Sequence, residues 1–209
     1  MNAAAPNARA LVEAVSLSLR QVVTTPSMAW AHERVFGTGA LTFSETAEVS
    51  AHRQPACDFL AESFARLDDV LRQGTADARL HQIALLLRAL EPRLHWTLGD
   101  LESELSDPLT QNYAEAAVVG PNASVTCDTV EVRILVMGPH STYPEHSHAL
   151  ESLTLVLSEG EWRRARGAWF RPGTGGVAWN PGGITHAMRT HREPMLAIRC
   201  LGLPAPFSG

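Results

Sequence analysis

Cysteine is scarce in this chain, and the few positions it occupies exclude a disulfide framework. The 209 residues include Cys57, Cys127 and Cys200, which form an odd, widely spaced set without a Cys-x-x-Cys pair. Disulfide-stapled domains are short and carry an even, dense set of cysteines. We therefore interpret each cysteine as a small buried residue and expect a reducing compartment, the cytoplasm.

Long apolar runs and basic clusters are also missing. No stretch of ~18 apolar residues is present, so no transmembrane helix is expected. The N-terminus lacks the basic segment and apolar core of a signal peptide. Lysine and arginine number 17 against 22 acidic residues, which gives a formal net charge of -5. We expect neither nucleic acid nor membrane as a partner, and a small molecule as the ligand.

The hydrophobic pattern changes its period about halfway along the chain. Residues 8–22, 57–73 and 78–90 carry apolar side chains at helical spacing. After about residue 112 the composition turns to β-branched residues that alternate in part. We predict an α-helical N-terminal region over residues 1–110, packed on a β-domain over residues 111–209.

The C-terminal half reads as many short strands separated by glycine and proline turns. Strand-like segments are predicted at about 124–137, 142–148, 152–158, 161–165, 167–171, 176–180, 184–189 and 194–201. Short strands at close spacing, with turn residues between them, are typical of a barrel or sandwich. The fold class is therefore predicted as mainly β, a barrel preceded by helices.

Three histidines in this half have the spacing of a metal site. His146 and His148 lie two apart in a strand-like segment, so their side chains point to one face. His186 follows a Pro-Gly-Gly turn on a later strand. Neutral imidazole suits zinc, iron, copper or nickel. The pattern predicts a divalent metal site inside a barrel, although single histidines are also common in cores and on surfaces.

The histidine segments resemble those of a known superfamily. His146-Ser-His148, Leu155-Val-Leu-Ser-Glu-Gly160 and Pro181-Gly-Gly-Ile-Thr-His186 resemble the two motifs of the cupins, which are jelly-roll β-barrels. Tyr143-Pro-x-His146-x-His148, followed by Pro181-x-x-x-x-His186-Ala-x-Arg189-Thr190 and Glu193-Pro194, resembles the cupin-type dimethylsulfoniopropionate lyases of marine bacteria. The N-terminal half agrees with that family in architecture only.

The resemblance implies an enzyme with a specific site. It implies one divalent metal ion (zinc, iron or manganese) held by histidines matching His146 or His148 and His186. It also implies a glutamate and a tyrosine just after the two histidines, and a base at Tyr143. The implied substrate is a sulfonium carboxylate, and β-elimination from it yields dimethyl sulfide and acrylate.

The sequence departs from the family pattern after His148. Ser152 stands where the family has its glutamate, and Thr154 stands where it has its second tyrosine. The nearby carboxylate, Glu151, is one residue early, and a one-residue slip in a strand turns a side chain to the other face. Glu151 would bind metal only if the preceding turn were shortened.

Strand alternation alone places Tyr143 opposite His146, because three residues separate them. Pro144 would have to break the alternation for both to share a face, as the resemblance implies. A tyrosine is a weak base at its unperturbed pKa near ~10, and a neighbouring cation would favour the phenolate. The alternative is a residue at the barrel rim with its hydroxyl in water.

Candidate substrate-binding residues come from charge and aromaticity. Trp169 and Trp179 have faces that attract onium cations, although tryptophan in a small barrel is usually core. Arg189 and Arg199 are candidates to pair with a substrate carboxylate, although exposed strand arginines are common.

Three functions remain open from the residues. The first is the carbon–sulfur lyase. The second is a three-histidine cupin oxygenase of the thiol-dioxygenase kind, which uses iron and oxygen. The third is a non-catalytic cupin that binds a small ligand or a metal. Ser152 and Thr154 favour the last two, whereas Tyr143-Pro and the helical half favour the first. A homodimer is an additional expectation.

Overall fold

The computed structural model of the chain describes residues 4–37, 39–47, 49–74, 78–99, 107–121 and 123–204. Its helices are α1 (Ala4–Val22), α2 (Pro26–Phe36), α3 (Leu60–Arg72), α4 (Ala78–Leu90) and α5 (Asp107–Asn112). Its strands are β1 (Phe43–Glu45), β2 (Trp96–Thr97), β3 (Tyr113–Val119), β4 (Val125–Cys127), β5 (Val130–Met137), β6 (Thr142–His146), β7 (Ser152–Val156), β8 (Glu161–Arg164), β9 (Val177–Asn180), β10 (His186–Arg189) and β11 (Met195–Gly202). No helix in these ranges is long and apolar enough to cross a membrane.

Three of the five helices in the described ranges lie where the apolar periodicity predicts them, and the sequence pattern missed α2 and α5. The first of these, α2, begins after Thr25, whose hydroxyl accepts a hydrogen bond from the Met28 amide at 3.3 Å. Pro26 occupies the first helical turn, where its missing N–H costs nothing. Gly37, with a φ of 76°, ends the helix.

The strands form two facing sheets and a separate pair of short strands. The six-stranded sheet has the order β2-β3-β5-β11-β7-β9, and the three-stranded sheet has the order β6-β10-β8. β1 pairs with β4 separately. All the pairs between named strands are antiparallel. The antiparallel barrel preceded by helices confirms the predicted fold class.

The six-stranded sheet contributes to two different cores, one on each face. On β11, Leu196, Ile198 and Cys200 pack with the helices, whereas Met195 and Ala197 face the three-stranded sheet. Successive strand residues point to opposite faces, so one strand supplies both cores. Burying a side chain the size of Leu196 or Ile198 contributes ~1.5–3 kcal/mol.

The helices cover the outer face of this sheet. α1 packs against α4, and α2 lies against β7 and β11. The close contact between α2 and β11 requires glycine at position 202, because a Cβ on Gly202 would lie 2.8 Å from the Arg34 carbonyl oxygen. Strand residues of the six-stranded sheet that point outward, toward the helices, are therefore apolar. The residues that alternate with them, including polar ones, point into the barrel and can reach the site.

The predicted boundary at residues 110 and 111 stays a prediction. The first long strand of the barrel, β3, begins at Tyr113. However, β1 and β2 lie in the N-terminal part and pair with β4 and β3.

Candidate active site

The three predicted histidines meet at one end of the barrel. His146 at the end of β6 pairs directly with His186 at the start of β10, and their ring centres are 4.2 Å apart. The ring of His148 lies 4.9 Å from that of His186 and 6.2 Å from that of His146. The structure therefore brings together all three side chains that the sequence nominated.

Each of the three rings is held in the same tautomer. In each, Nδ1 lies within hydrogen-bonding distance of a backbone carbonyl two residues away. The partners are Pro144 at 2.9 Å for His146, Leu150 at 2.6 Å for His148 and Ile184 at 2.9 Å for His186. A carbonyl only accepts, so Nδ1 carries the proton and Nε2 keeps its lone pair. This arrangement is typical of histidines that bind a metal through Nε2.

Burial keeps at least two of these rings neutral. Desolvation lowers the pKa of His146 below its ordinary value. It lowers the pKa of His186 to about 4, despite the opposing hydrogen bond to Ile184. A neutral ring is the form that coordinates metal.

The residues fit a metal in chemistry and nearly in spacing. With metal–nitrogen bonds of ~2.0–2.1 Å in a tetrahedral site, ring centres lie about 5 Å apart. The observed 4.2, 4.9 and 6.2 Å bracket this value. In the described part of the chain, no group of three His, Cys, Asp or Glu side chains is arranged tightly enough to hold a metal as it stands.

A β-bulge places Tyr143 on the same side as His146. Met188 pairs with Tyr143 and His186 with His146, so three residue steps on β6 oppose two on β10. The extra residue cancels the odd spacing. Pro144 is tolerated there because β6 is an edge strand of its sheet. Tyr143 is buried, with its ring 4.8 Å from that of His146 and 4.6 Å from that of Tyr113.

Glu151 is not with the histidines. Its carboxylate lies outside the barrel, where Arg34 of α2 donates to both oxygens and Trp179 Nε1 donates to Oε1 at 2.7 Å. Burial alone would raise the pKa of Glu151, but the hydrogen bonds from Arg34 and Trp179 outweigh it and lower that pKa. Glu151, the doubtful fourth ligand, therefore links α2 to the barrel through these hydrogen bonds.

Replacing Glu151 by glutamine should leave metal content unchanged. The substitution removes a charge that faces Arg34, whose side chain is 53% exposed, so the expected loss of stability is at most about 1 kcal/mol. Elemental analysis and thermal unfolding measure the two effects. A large fall in bound metal would show that Glu151 reaches the histidines in solution.

Three residues nominated for substrate binding lie away from the histidines. Arg189 projects from the outer face of β10, opposite His186 and Met188, and its guanidinium stacks 4.1 Å from the centre of the Trp169 ring. It also pairs with Glu161 at 2.6 Å. Trp179 faces the helices and Glu151. Because side chains alternate between the two faces of β9 and β10, Trp179 and Arg189 point away from the cavity. The structure therefore does not support these three residues as pocket residues.

The barrel interior contains a chain of four charged groups that the sequence reading missed. Glu131 accepts from Arg133 Nε at 2.6 Å, Arg133 also donates to Glu115 Oε1, and Arg199 Nη2 donates to Glu115 Oε2 at 2.7 Å. The hydroxyl of Tyr113 donates to Glu115 Oε2 at 2.6 Å. Signs alternate along the series, which we call the ion chain. It runs Glu131–Arg133–Glu115–Arg199.

Glu115 and Arg199 in the ion chain stay charged in spite of burial. Burial would raise the pKa of Glu115, but Arg199 and Arg133 hold that pKa below its usual value. The pKa of Arg199 is raised, because Glu115 outweighs the cost of desolvation. Burial and the adjacent Glu115 raise the pKa of Tyr113 well above its usual value. Tyr113 is therefore a fixed hydrogen-bond donor.

The ion chain lines one small cavity together with His146 and His148. Its volume is about 150 Å³, well below the ~300–1,000 Å³ of sites for drug-sized ligands. The residues that line it are Glu115, Glu131, Arg133, Tyr143, His146, Ser147, His148, Leu150, Arg199 and Leu201. A molecule of only a few heavy atoms suits such a cavity.

Ser152 and Thr154, the departures from the family pattern, face the barrel interior and are buried. Ser152 pairs with Asn180 across β7 and β9. The Ser152 hydroxyl and the side-chain amide oxygen of Asn180 have no hydrogen-bond partner among the described residues. The interior therefore holds unsatisfied polar atoms in the neighbourhood of the missing glutamate.

A two-sheet antiparallel barrel with histidines converging at one end defines the class of cupins, and solved structures support this fold. The chain superimposes on a structure from work on the dimethylsulfoniopropionate lyases RdDddP and RnDddQII with a TM-score of 0.68, at 20% identity, covering 99% of this chain and 97% of the other. The lyase DddQ of Ruegeria pomeroyi gives a TM-score of 0.64 at 22% identity, with coverages of 93% and 91%.

The chain belongs to the dimethylsulfoniopropionate lyase family, whose model matches residues 31–197. A protein of Cereibacter sphaeroides assigned as the lyase DddL is 26% identical over 98 residues. That match spans 47% of this chain and 40% of the relative. Family membership confirms the resemblance predicted from the motifs.

Proposed function

We propose that the chain is a metal-dependent carbon–sulfur lyase. Its substrate would be dimethylsulfoniopropionate or a similar sulfonium carboxylate, cleaved by β-elimination to dimethyl sulfide and acrylate. The observation that carries the proposal is that His146, His148 and Tyr143 line a cavity of about 150 Å³, with the ring of His186 4.2 Å from that of His146. Membership of the lyase family supports the choice of reaction.

The Nε2 atoms of His146, His148 and His186 would hold one divalent ion, which we propose to be zinc, iron or manganese. When bound, such an ion supplies Lewis acidity, which makes a proton next to a carboxylate easier to remove. Fewer than four protein ligands leave an open position, as in catalytic rather than structural sites. The carbonyl partners of Nδ1 would keep the rings oriented.

Tyr143 would act as the base. Its ring packs against His146, at the cavity that would hold the substrate. As the phenolate, after its own hydroxyl proton has left to solvent, it would take the α-proton of the substrate. The electrons of that C–H bond become the new C=C bond, and the C–S electron pair leaves with sulfur. The products are acrylate, neutral dimethyl sulfide and the proton on Tyr143, without a covalent intermediate.

The cavity walls would shield this chemistry from water. Leu150 and Leu201 line it beside the polar groups. Arg199 lines the same cavity, and a cation near the base would stabilise the negative charge that develops during proton removal.

The decisive experiment is the release of dimethyl sulfide by purified protein loaded in turn with zinc, iron(II) and manganese. We expect release with at least one metal, together with equimolar acrylate. Headspace gas chromatography measures the first product and liquid chromatography the second. If none of the three loaded forms releases dimethyl sulfide, the lyase proposal is rejected.

One observation favours a second candidate. Arg34 and Trp179 hold Glu151 away from the three histidines, and a set of three histidine ligands also suits a thiol-dioxygenase-like cupin. Oxygen uptake by the iron-loaded protein with a small thiol would support that reading. The homodimer and the cytoplasmic location stay predictions.

A further inference from the structure

The ion chain is incomplete at both ends. At one end Arg199 gives a single N–H to Glu115, while its Nε is buried and has no partner among the described residues. At the other end Glu131 uses Oε1 for Arg133, and no other hydrogen bond to Glu131 is found in the described part of the chain. A buried charge with unmet hydrogen-bonding capacity is costly unless a partner completes it.

Both open ends border the same cavity as the histidines. Glu131 pairs with Leu201 and Arg133 with Arg199 across β5 and β11, so Glu131 and Arg199 are diagonal neighbours on the inner face. Diagonal neighbours of this kind lie ~7–8 Å apart. The stem of Glu131 is fixed by Gly120, where a Cβ would lie 2.6 Å from the Glu131 Cγ. One anionic and one cationic end therefore face a small cavity across a short gap.

We propose that Arg199 and Glu131 select a small zwitterion, Arg199 by pairing with its carboxylate and Glu131 by facing its onium centre. The inference rests on the proposed function, since it states how that substrate is held. Two carboxylates and two guanidiniums make the ion chain electroneutral. The two ends of the chain carry unlike charges, so a zwitterion meets an opposite charge at each of its ends, whereas a plain carboxylate leaves Glu131 without a cation.

The test compares two probes that differ only in the onium charge. The first is 3-(trimethylammonio)propionate, and the second is 4,4-dimethylpentanoate, in which carbon replaces the cationic nitrogen. Isothermal titration calorimetry on the metal-loaded protein should show tighter binding of the zwitterion. Glu131→Gln keeps the length and the acceptor for Arg133 but removes the charge. It should weaken binding of the zwitterion by ~10-fold or more and change the affinity for 4,4-dimethylpentanoate by less than about twofold.

Two further variants control the result. Glu62→Gln removes a carboxylate that pairs with Arg66 on the surface of α3, and it should alter neither affinity. Glu131→Asp keeps the charge and should retain part of the preference. If Glu131→Gln lowered the affinity for both probes equally, Glu131 would have a structural role and the proposal would be overturned. A wild-type protein that binds both probes equally would also overturn it, whether or not the variants fold.

The binding test separates this inference from the lyase proposal, because it needs no carbon–sulfur cleavage. If the protein releases no dimethyl sulfide but its preference for the zwitterion depends on Glu131, only the lyase proposal fails. If the protein is an active lyase whose preference ignores Glu131, only the present inference fails.

Discussion

Replacing His148 by alanine should remove most of the bound metal and with it the lyase activity. The three histidines are the proposed ligand set, and the Leu150 carbonyl accepts from Nδ1 of His148, which orients the ring. Changing the groups that merely orient ligands costs ~10–100-fold in metal affinity, so the loss of a ligand should exceed that. Elemental analysis of protein purified in parallel with wild type gives the metal content directly.

His81→Ala is the matched control, because His81 is exposed on the outer surface of α4. It removes an imidazole from the same chain and should leave both metal content and activity unchanged. Wild-type metal stoichiometry in His148→Ala would show that the ligand assignment is wrong. Similar melting temperatures of the two metal-free variants would show that metal loss does not reflect unfolding.

The helices and strands were predictable where the hydrophobic period was strong. Two of the differences from the predicted strands have clear physical reasons. The β3 sequence Tyr-Ala-Glu-Ala-Ala-Val-Val is rich in alanine, the best helix former, and only pairing with β5 and β2 makes it a strand. The predicted strand at 167–171 is reduced to a single bridge between Trp162 and Phe170.

The histidines were predictable because their chemistry is visible in spacing, whereas the ion chain was not. Glu131 and Arg133 alternate with valines and isoleucine along β5, which normally indicates a charged face in water. The helices on the outer face reverse this assignment, and that fact belongs to the tertiary structure. Arg199 was considered for a carboxylate beside Arg189, but only the alternation of β10 and β11 tells which one points inward. The bulge at Pro144 likewise exists only once β6 pairs with β10.

Replacing Tyr143 by phenylalanine should lower kcat by ~10²–10⁴-fold, the usual contribution of a general base. The hydroxyl is the only atom removed, so the packing against Tyr113 and His146 should survive. The KM should change little, because the lost interaction develops as the proton is transferred. Initial rates of dimethyl sulfide release across substrate concentrations separate the two parameters, and elemental analysis should show an unchanged metal content.

Tyr113→Phe is the informative comparison, since the two rings lie 4.6 Å apart and both are buried. The hydroxyl of Tyr113 donates a hydrogen bond to Glu115 at 2.6 Å. Burial together with that carboxylate raises the pKa of Tyr113 well above its usual value. Such a phenol does not serve as a base, so its loss should affect kcat much less than the loss of the Tyr143 hydroxyl. A larger fall in kcat for Tyr113→Phe than for Tyr143→Phe would move the base to the other tyrosine. Unchanged release in both would mean that neither hydroxyl takes the proton, while the metal ligands and the elimination itself would stand.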